Sequence, residues 1–398
     1  MSNGKESSVI KEVIKSGYNN LFYEQWSLKT AALLLAVLSI IAFAWARPWG
    51  VVGGLRNWGD WVFYGLGLYD RQPFNPVQST NSILTFGILL GAFISALMAK
   101  QFAVNRIPRL EFFKAIGGGV LMGVGSAMAG GCNIGGFFEA SAALSLAGPV
   151  MLVALLIGAN LAVRYLYWEM EHLPSGSLPP KKPRAEDAFD WKSIQPYLGG
   201  LLILGAFVAA YFYARAHLTE IGGLLLIAAA IGLVFQRSRL CFVAGFRDPF
   251  MTGETDKTKA VILCLILTTL GYAALKWTGL RGETVYVTST VWFGSLVGGL
   301  IFGFGMVIAG GCGSGCLFRV GEGNAKLMIV MVFFALFNSL TKAFFRVNPG
   351  FNEMMGGRFF LPDYVSYWGS IGLIIAILLA WYLFVSWNEE TEKFVIEL

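Results

Sequence analysis

The sequence is short of charge. Only 14% of its 398 residues are Asp, Glu, Lys or Arg, where a soluble domain carries about 25%. With 56% hydrophobic residues and a mean hydropathy of +0.62, the chain belongs in lipid rather than in water. Histidine is scarcer still, with only His172 and His217. There is no C-x2-C pair and no HExxH, so neither a metal centre nor a cofactor is expected. No GxxxxGK[ST] loop is present, which argues against direct ATP drive by this chain. No catalytic residue stands out, and an enzyme is not expected. The five cysteines, Cys132, Cys241, Cys264, Cys312 and Cys316, all lie in or beside apolar stretches, which excludes a secreted disulfide framework. The net charge of +6 comes from Lys and Arg set between apolar runs, a pattern of membrane orientation rather than of nucleic-acid binding.

What the sequence does have is a segment written twice. Residues 117–136 read GGGVLMGVGSAMAGGCNIGG, and residues 297–316 read VGGLIFGFGMVIAGGCGSGC. A shift of 180 positions pairs Gly118, Gly119, Gly123, Gly125, Ala129, Gly130, Gly131, Cys132 and Gly135 with identical residues. The chain is therefore a tandem duplication, with one thiol per half in register. Internal repeats of this kind typify transporters, whose substrate sites lie where the repeats meet.

Ten apolar runs follow a polar start, near 30–46, 83–99, 115–130, 143–162, 197–213, 220–235, 259–278, 294–310, 326–345 and 367–386. Each is about long enough to cross or enter ~30 Å of hydrocarbon. The first ends in Ala42-Phe43-Ala44, like a small-x-small cleavage site, but its long charged leader favours a retained helix. The expected organisation is an amphipathic tail at 1–28, a first membrane repeat at 29–167, a charged Pro-rich linker at 168–196, a second repeat at 197–387 and a tail at 388–398. In the first tail Val9, Ile10, Val13 and Ile14 fall at helical spacing. Loop 100–114 holds four Lys or Arg and its repeat partner 280–294 holds one; loop 236–259 holds five and its partner 56–79 holds two. By the positive-inside rule the halves are inverted repeats with loops 100–114 and 236–259 in the cytosol. The expected fold is an all-α integral membrane protein.

Glycines at close helical spacing let backbones approach. Consecutive glycines such as Gly130-Gly131 and Gly310-Gly311 instead end a helix, which lipid tolerates only beside protein or a cavity. A thiol follows each break, which makes Cys132 and Cys312 candidates for lining a constriction. The short pieces Phe137–Leu146 and Leu317–Val320 read as re-entrant segments whose N-termini favour an anion. Cys241 lies beside a basic cluster that favours a thiolate, and its role stays open between lining and packing. Cys316, four residues past Cys312, shares a face with it on a helix or forms a strained disulfide in a loop. Cys264, mid-run, reads as structural. Glu139, Arg319 and Glu322 are ionisable groups near the breaks. Arg319 either offsets a substrate's charge or pairs with Glu322 at i+3. Arg247-Asp248-Pro249 reads as a structural turn at the start of a loop, with a local ion pair.

The blocks GVGSAMAGGCNIGGFFEA, QRSRLCFVAGFRDPFMTGETDKTKA and GFGMVIAGGCGSGCLFRVGEGN resemble three blocks of the YeeE/YedE family of sulfur-transport membrane proteins. Their order and spacing look most like the YedE branch, and the resemblance runs from about residue 80 to 385. It implies an inner-membrane, hourglass-shaped inverted repeat whose re-entrant pieces meet at a waist. It also implies passage of thiosulfate or a related sulfur oxyanion past a few thiols, without lasting covalent chemistry. By motif the waist thiols are Cys132 and Cys312. The family's third thiol, in the first half at one mouth, is absent, since no cysteine precedes Cys132. Cys241 stands in the corresponding place of the second half, and Cys316 enriches the waist. The branch is also linked to selenium metabolism, which makes a selenium species an alternative substrate. A membrane redox protein handling sulfane sulfur through Cys312 and Cys316 is a further alternative. A TusA-like sulfur carrier, if used, is a separate chain, since no cysteine here precedes proline.

Overall fold

A computed structural model describes residues 12, 13, 15–173 and 191–396. Among these residues the chain is helical throughout, with one isolated bridge between Ser145 and Phe360 and no strand. Ten segments are long and apolar enough to cross a membrane. The chain is a multi-pass membrane protein.

The first half runs α1 (Leu28–Trp45), α2 (Val52–Gly65), α3 (Thr80–Met98) and α4 (Arg109–Met128). A π turn (Asn133–Phe138) then leads into α5 (Glu139–Ala142), and α6 (Ala147–His172) closes the half. After α7 (Trp191–Arg215) come α8 (Thr219–Ser238), α9 (Phe242–Met251), α10 (Asp256–Trp277) and α11 (Phe293–Ala309). They are followed by α12 (Gly313–Gly321), α13 (Ala325–Val347), α14 (Pro349–Met354) and α15 (Pro362–Thr391). Local chemistry sets several starts. Ser27 accepts from the Thr30 amide to begin α1, and Asn324 accepts from Leu327 to begin α13.

The order long helix, break, short helix, long helix occurs twice in each half. Packing follows the same rule. α4 lies against α11 and α13, while α11 lies against α4 and α6. The pairs α3–α8, α2–α13 and α3–α12 have α10–α1, α9–α6 and α10–α5 as their exchanged counterparts. The repeated glycines make this possible. A Cβ on Gly125 would stand 2.6 Å from the Phe302 amide nitrogen, and one on Gly298 would stand 2.6 Å from that of Ala129. Gly119 and Gly123 face α13, and Gly299 and Gly303 face α6 in the same way. Close backbone approach is the main source of helix association where lipid removes the hydrophobic drive.

The two basic loops meet on one face of the molecule. The Gln101 side-chain oxygen accepts from Gln236 at 2.9 Å and from Arg237 at 2.7 Å. Trp26 donates its amide to the Arg237 carbonyl on the same face. The outer helices turn apolar side chains away from the protein, α7 most of all, with Leu201, Leu204, Phe207 and Phe212 exposed.

Four sequence expectations change. The short pieces begin at Asn133 and Gly313, directly after the thiols, rather than at Phe137 and Leu317. Arg247, Asp248 and Pro249 lie inside α9 rather than at a loop start, although Arg247 does pair with Asp248 at 2.6 Å. The linker is narrower than 168–196: α6 runs to His172 and α7 begins at Trp191, with 174–190 outside the described residues. The regions 56–79 and 236–259, read as loops, each contain a short helix, α2 and α9. Of the amphipathic tail, Val9, Ile10 and Ile14 lie outside the described residues.

Candidate functional site

Each Gly-Gly break is a left-handed glycine followed by an extended cysteine. Gly130 has φ +73° and Gly310 has φ +76°, conformations that only glycine adopts without strain. Cys132 (φ −79°, ψ −171°) and Cys312 (φ −85°, ψ −173°) then hold nearly the same backbone shape. Both cap the segment that follows. The Cys132 sulfur accepts from the Ile134 amide at 3.4 Å, and the Cys312 sulfur from the Gly315 amide at 3.3 Å. Each thiol therefore sits at the positive end of a short helical piece.

The duplication brings four thiols together around α12. A Cβ on Gly313 would lie 3.1 Å from the Cys132 sulfur, and one on Gly315 would lie 3.2 Å from the sulfurs of both Cys241 and Cys312. Cys316 follows one turn along α12, its amide bonded to the Cys312 carbonyl at 2.8 Å. All five cysteines are free and buried, so the helical alternative holds for Cys312 and Cys316, with no disulfide. Cys264 stands apart on α10. Phe137, Phe138, Phe235, Phe242, Phe246 and Phe318 are essentially buried in the same hydrophobic core as the thiols. Among the described residues no group of His, Cys, Asp and Glu could hold a metal ion.

Cys241 is the first-turn cap position of α9, and Val51 is the same position of α2. Val51 therefore occupies the place in the first half where a thiol is absent.

A cavity of about 610 Å³ opens on the face opposite the basic loops. Gly130, Gly131, Cys132, Gly135 and Glu139 form one of its walls, and Arg47, Arg56 and Lys342 bring positive charge to it. Of the cysteines it reaches Cys132 alone. Arg47 lies 5.4 Å from the Tyr286 ring centre; burial lowers its pKa from the ordinary guanidinium value, and Tyr286 and Glu139 oppose that shift. On the other face polar groups meet one another. Arg239 pairs with Glu322 at 2.5 Å, and Gln236 donates to the same carboxylate at 3.0 Å.

Arg319 does not pair with Glu322. It donates to the Gly310 carbonyl at 3.0 Å, so it caps the end of α11, and Glu322 pairs with Arg239 instead. Gly311 packs its backbone against Leu327 and the Cys316 sulfur. Two polar residues beside the thiols were not singled out from the sequence. Asn133, fully buried directly after Cys132, has no hydrogen-bond partner on either side-chain atom. Ser314 places its hydroxyl 3.5 Å from the Cys312 sulfur. Both fill the variable positions of GGC-x-x-G, where the halves differ, so comparison of the repeats passes over them.

The chain is 26% identical over 314 residues to "Probable transporter YedE" of Salmonella typhimurium, covering 75% of this chain and 76% of that one. It is 35% identical over 119 residues to "Thiosulfate transporter TsuA" of Spirochaeta thermophila, covering 30% and 36% of the two chains. The protein of that name from Escherichia coli matches at 32% over 119 residues, 30% and 33% of the chains. The family model described as "Sulphur transport" matches residues 5–161 and 237–396, both halves with their glycine breaks and thiols, and the chain belongs to that family.

Proposed function

We propose that this protein takes up thiosulfate across the inner membrane, passing the dianion from the basic cavity to Cys132 and then to Cys312, Cys241 and Cys316. The observation that carries this reading is the thiol cluster at the meeting of two helix breaks, with Cys132 in the wall of a cationic cavity. Arg47, Arg56 and Lys342 raise the local anion concentration. Short helical N-termini and thiols then replace water around the substrate. A thiol is a weak donor with a polarizable sulfur, suited to the soft terminal sulfur of thiosulfate and poorly suited to sulfate. Weak, repeated contacts let the ion leave again. Buried cysteines without disulfides support passage without covalent capture. The basic loops around Gln101 and Gln236 face the cytosol in this reading, and the cavity faces outward. The halves are inverted repeats, and a TusA-like sulfur carrier receives the product on the cytosolic side.

The test is uptake of labelled thiosulfate by proteoliposomes, with sulfate, sulfite and selenite as competitors. Flux that excess unlabelled thiosulfate suppresses and equal sulfate leaves nearly intact is the expected result. Stronger suppression by selenite than by thiosulfate would move the assignment to a selenium species. No flux above empty liposomes, or equal competition by sulfate, would contradict it.

A further inference from the structure

Glu139 is the buried carboxylate of the cavity wall, and its repeat partner at +180 is Arg319. The residue is 4% exposed. One carboxylate oxygen accepts from the Tyr272 hydroxyl at 2.6 Å, and the other has no hydrogen-bond partner. Among the described residues Glu139 makes no salt bridge. Arg47 is the nearby cation, but it donates to Thr80 at 3.3 Å.

The surroundings are few and can be named. From α10 come Tyr272, Cys264 and Lys276; Lys276 donates to the Ala143 carbonyl at 2.8 Å. The loops around α2 and α11 bring Arg47 and Tyr286. Across the cavity stand Arg56, Lys342 and the exposed Glu353. α6 carries no charged residue before Arg164 and α11 carries none. α12 brings its thiols and Arg319, already bound to Gly310.

An ionised carboxylate in this wall borders the space a dianion must occupy. Like charges in a shared, weakly solvated site cannot both stay ionised without large cost. A buried, partner-free oxygen on a residue that lines that cavity is a place for a proton. We propose that Glu139 is a proton-binding site linked to the anion: a substrate dianion settles beside Cys132 when Glu139 has taken a proton from solvent. The carboxyl O–H formed there turns a repelling group into a donor. This rests on the anion reading above and adds to it that one proton accompanies each bound dianion.

The experiment is calorimetric titration of thiosulfate into the purified full-length protein between pH 5 and 9, in buffers of different ionisation enthalpy, which counts protons taken up. In the wild type the affinity falls with rising pH and approaches ten-fold per pH unit above the Glu139 midpoint, with up to one proton absorbed. Glu139→Gln keeps the low-pH affinity, varies less than about two-fold over the range, and absorbs no proton. Tyr272→Phe removes a hydrogen bond that favours the carboxylate, so it retains the slope and moves its midpoint to higher pH. A flat wild-type profile, or a Glu139→Gln profile with the wild-type slope, overturns the linkage while leaving the anion site standing. Absence of thiosulfate binding at every pH overturns the anion reading and the linkage with it.

Discussion

At the scale of single residues the site depends on positions with no side chain to spare. Gly315 faces the sulfurs of Cys241 and Cys312 at 3.2 Å from where a Cβ would sit. Gly315→Val would push three more heavy atoms into that space. We expect thiosulfate uptake to fall at least ten-fold while the protein still purifies as a folded monodisperse species; uptake within two-fold of wild type would remove the thiols from the path. Asn133 gives a different test. Its two buried polar atoms lack partners, an arrangement costing roughly 1–3 kcal/mol per group. A residue kept only for packing would not leave them so. Asn133→Leu should therefore hold or raise the melting temperature while lowering thiosulfate affinity by about ten-fold, the worth of one hydrogen bond to a charged group. Loss of stability with unchanged affinity would make Asn133 a packing residue.

At the scale of elements the α4–α11 contact holds the two halves together, and neighbouring glycines in it have opposite duties. A Cβ on Gly118 would lie 2.8 Å from the Ala309 amide nitrogen, whereas one on Gly117 meets nothing within 4 Å. Gly118→Ala should destabilise by ~1–3 kcal/mol through overpacking. Gly117→Ala should be neutral or stabilising by up to ~1 kcal/mol, from helix propensity alone. Thermal unfolding of the two variants in one detergent would show the difference, and equal shifts would contradict the close approach. The same elements show what the sequence made legible. Helix ends at Gly130 and Gly310 could be read from consecutive glycines in apolar runs. The helices α2 and α9 could not, because Arg56, Asp60, Arg247 and Asp248 made their stretches look like loops. Their charges are met inside the fold: Asp60 accepts from Ser339, and Asp248 pairs with Arg247 and with Lys257 at 2.9 Å. Ser339 lies 279 positions from Asp60, and compensation at that range leaves no trace in local composition. Arg319 binds a backbone carbonyl nine residues back, a partner that side-chain pairing rules do not reveal.

At the scale of the whole molecule the two faces differ. One opens into the cavity bearing Arg47, Arg56 and Lys342; the other carries the Arg239–Glu322 pair and Gln236. Attraction of a dianion toward the open face is screened over about 8 Å at physiological salt. Arg56→Gln combined with Lys342→Gln should slow uptake at low ionic strength and flatten its salt dependence, leaving rates at high salt nearly unchanged. Rates that fall equally at every salt concentration would assign these cations to structure. In the proposed path the thiols join the two faces: Cys132 lines the cavity, and Cys312, Cys241 and Cys316 cluster with it around α12. Uptake of labelled thiosulfate by proteoliposomes carrying Cys132→Ala, Cys312→Ala or Cys264→Ala bears on that path most directly. Loss of at least ten-fold in each of the first two, with near wild-type flux in the third, is the predicted result. Wild-type flux through Cys132→Ala and Cys312→Ala would contradict a path lined by these thiols.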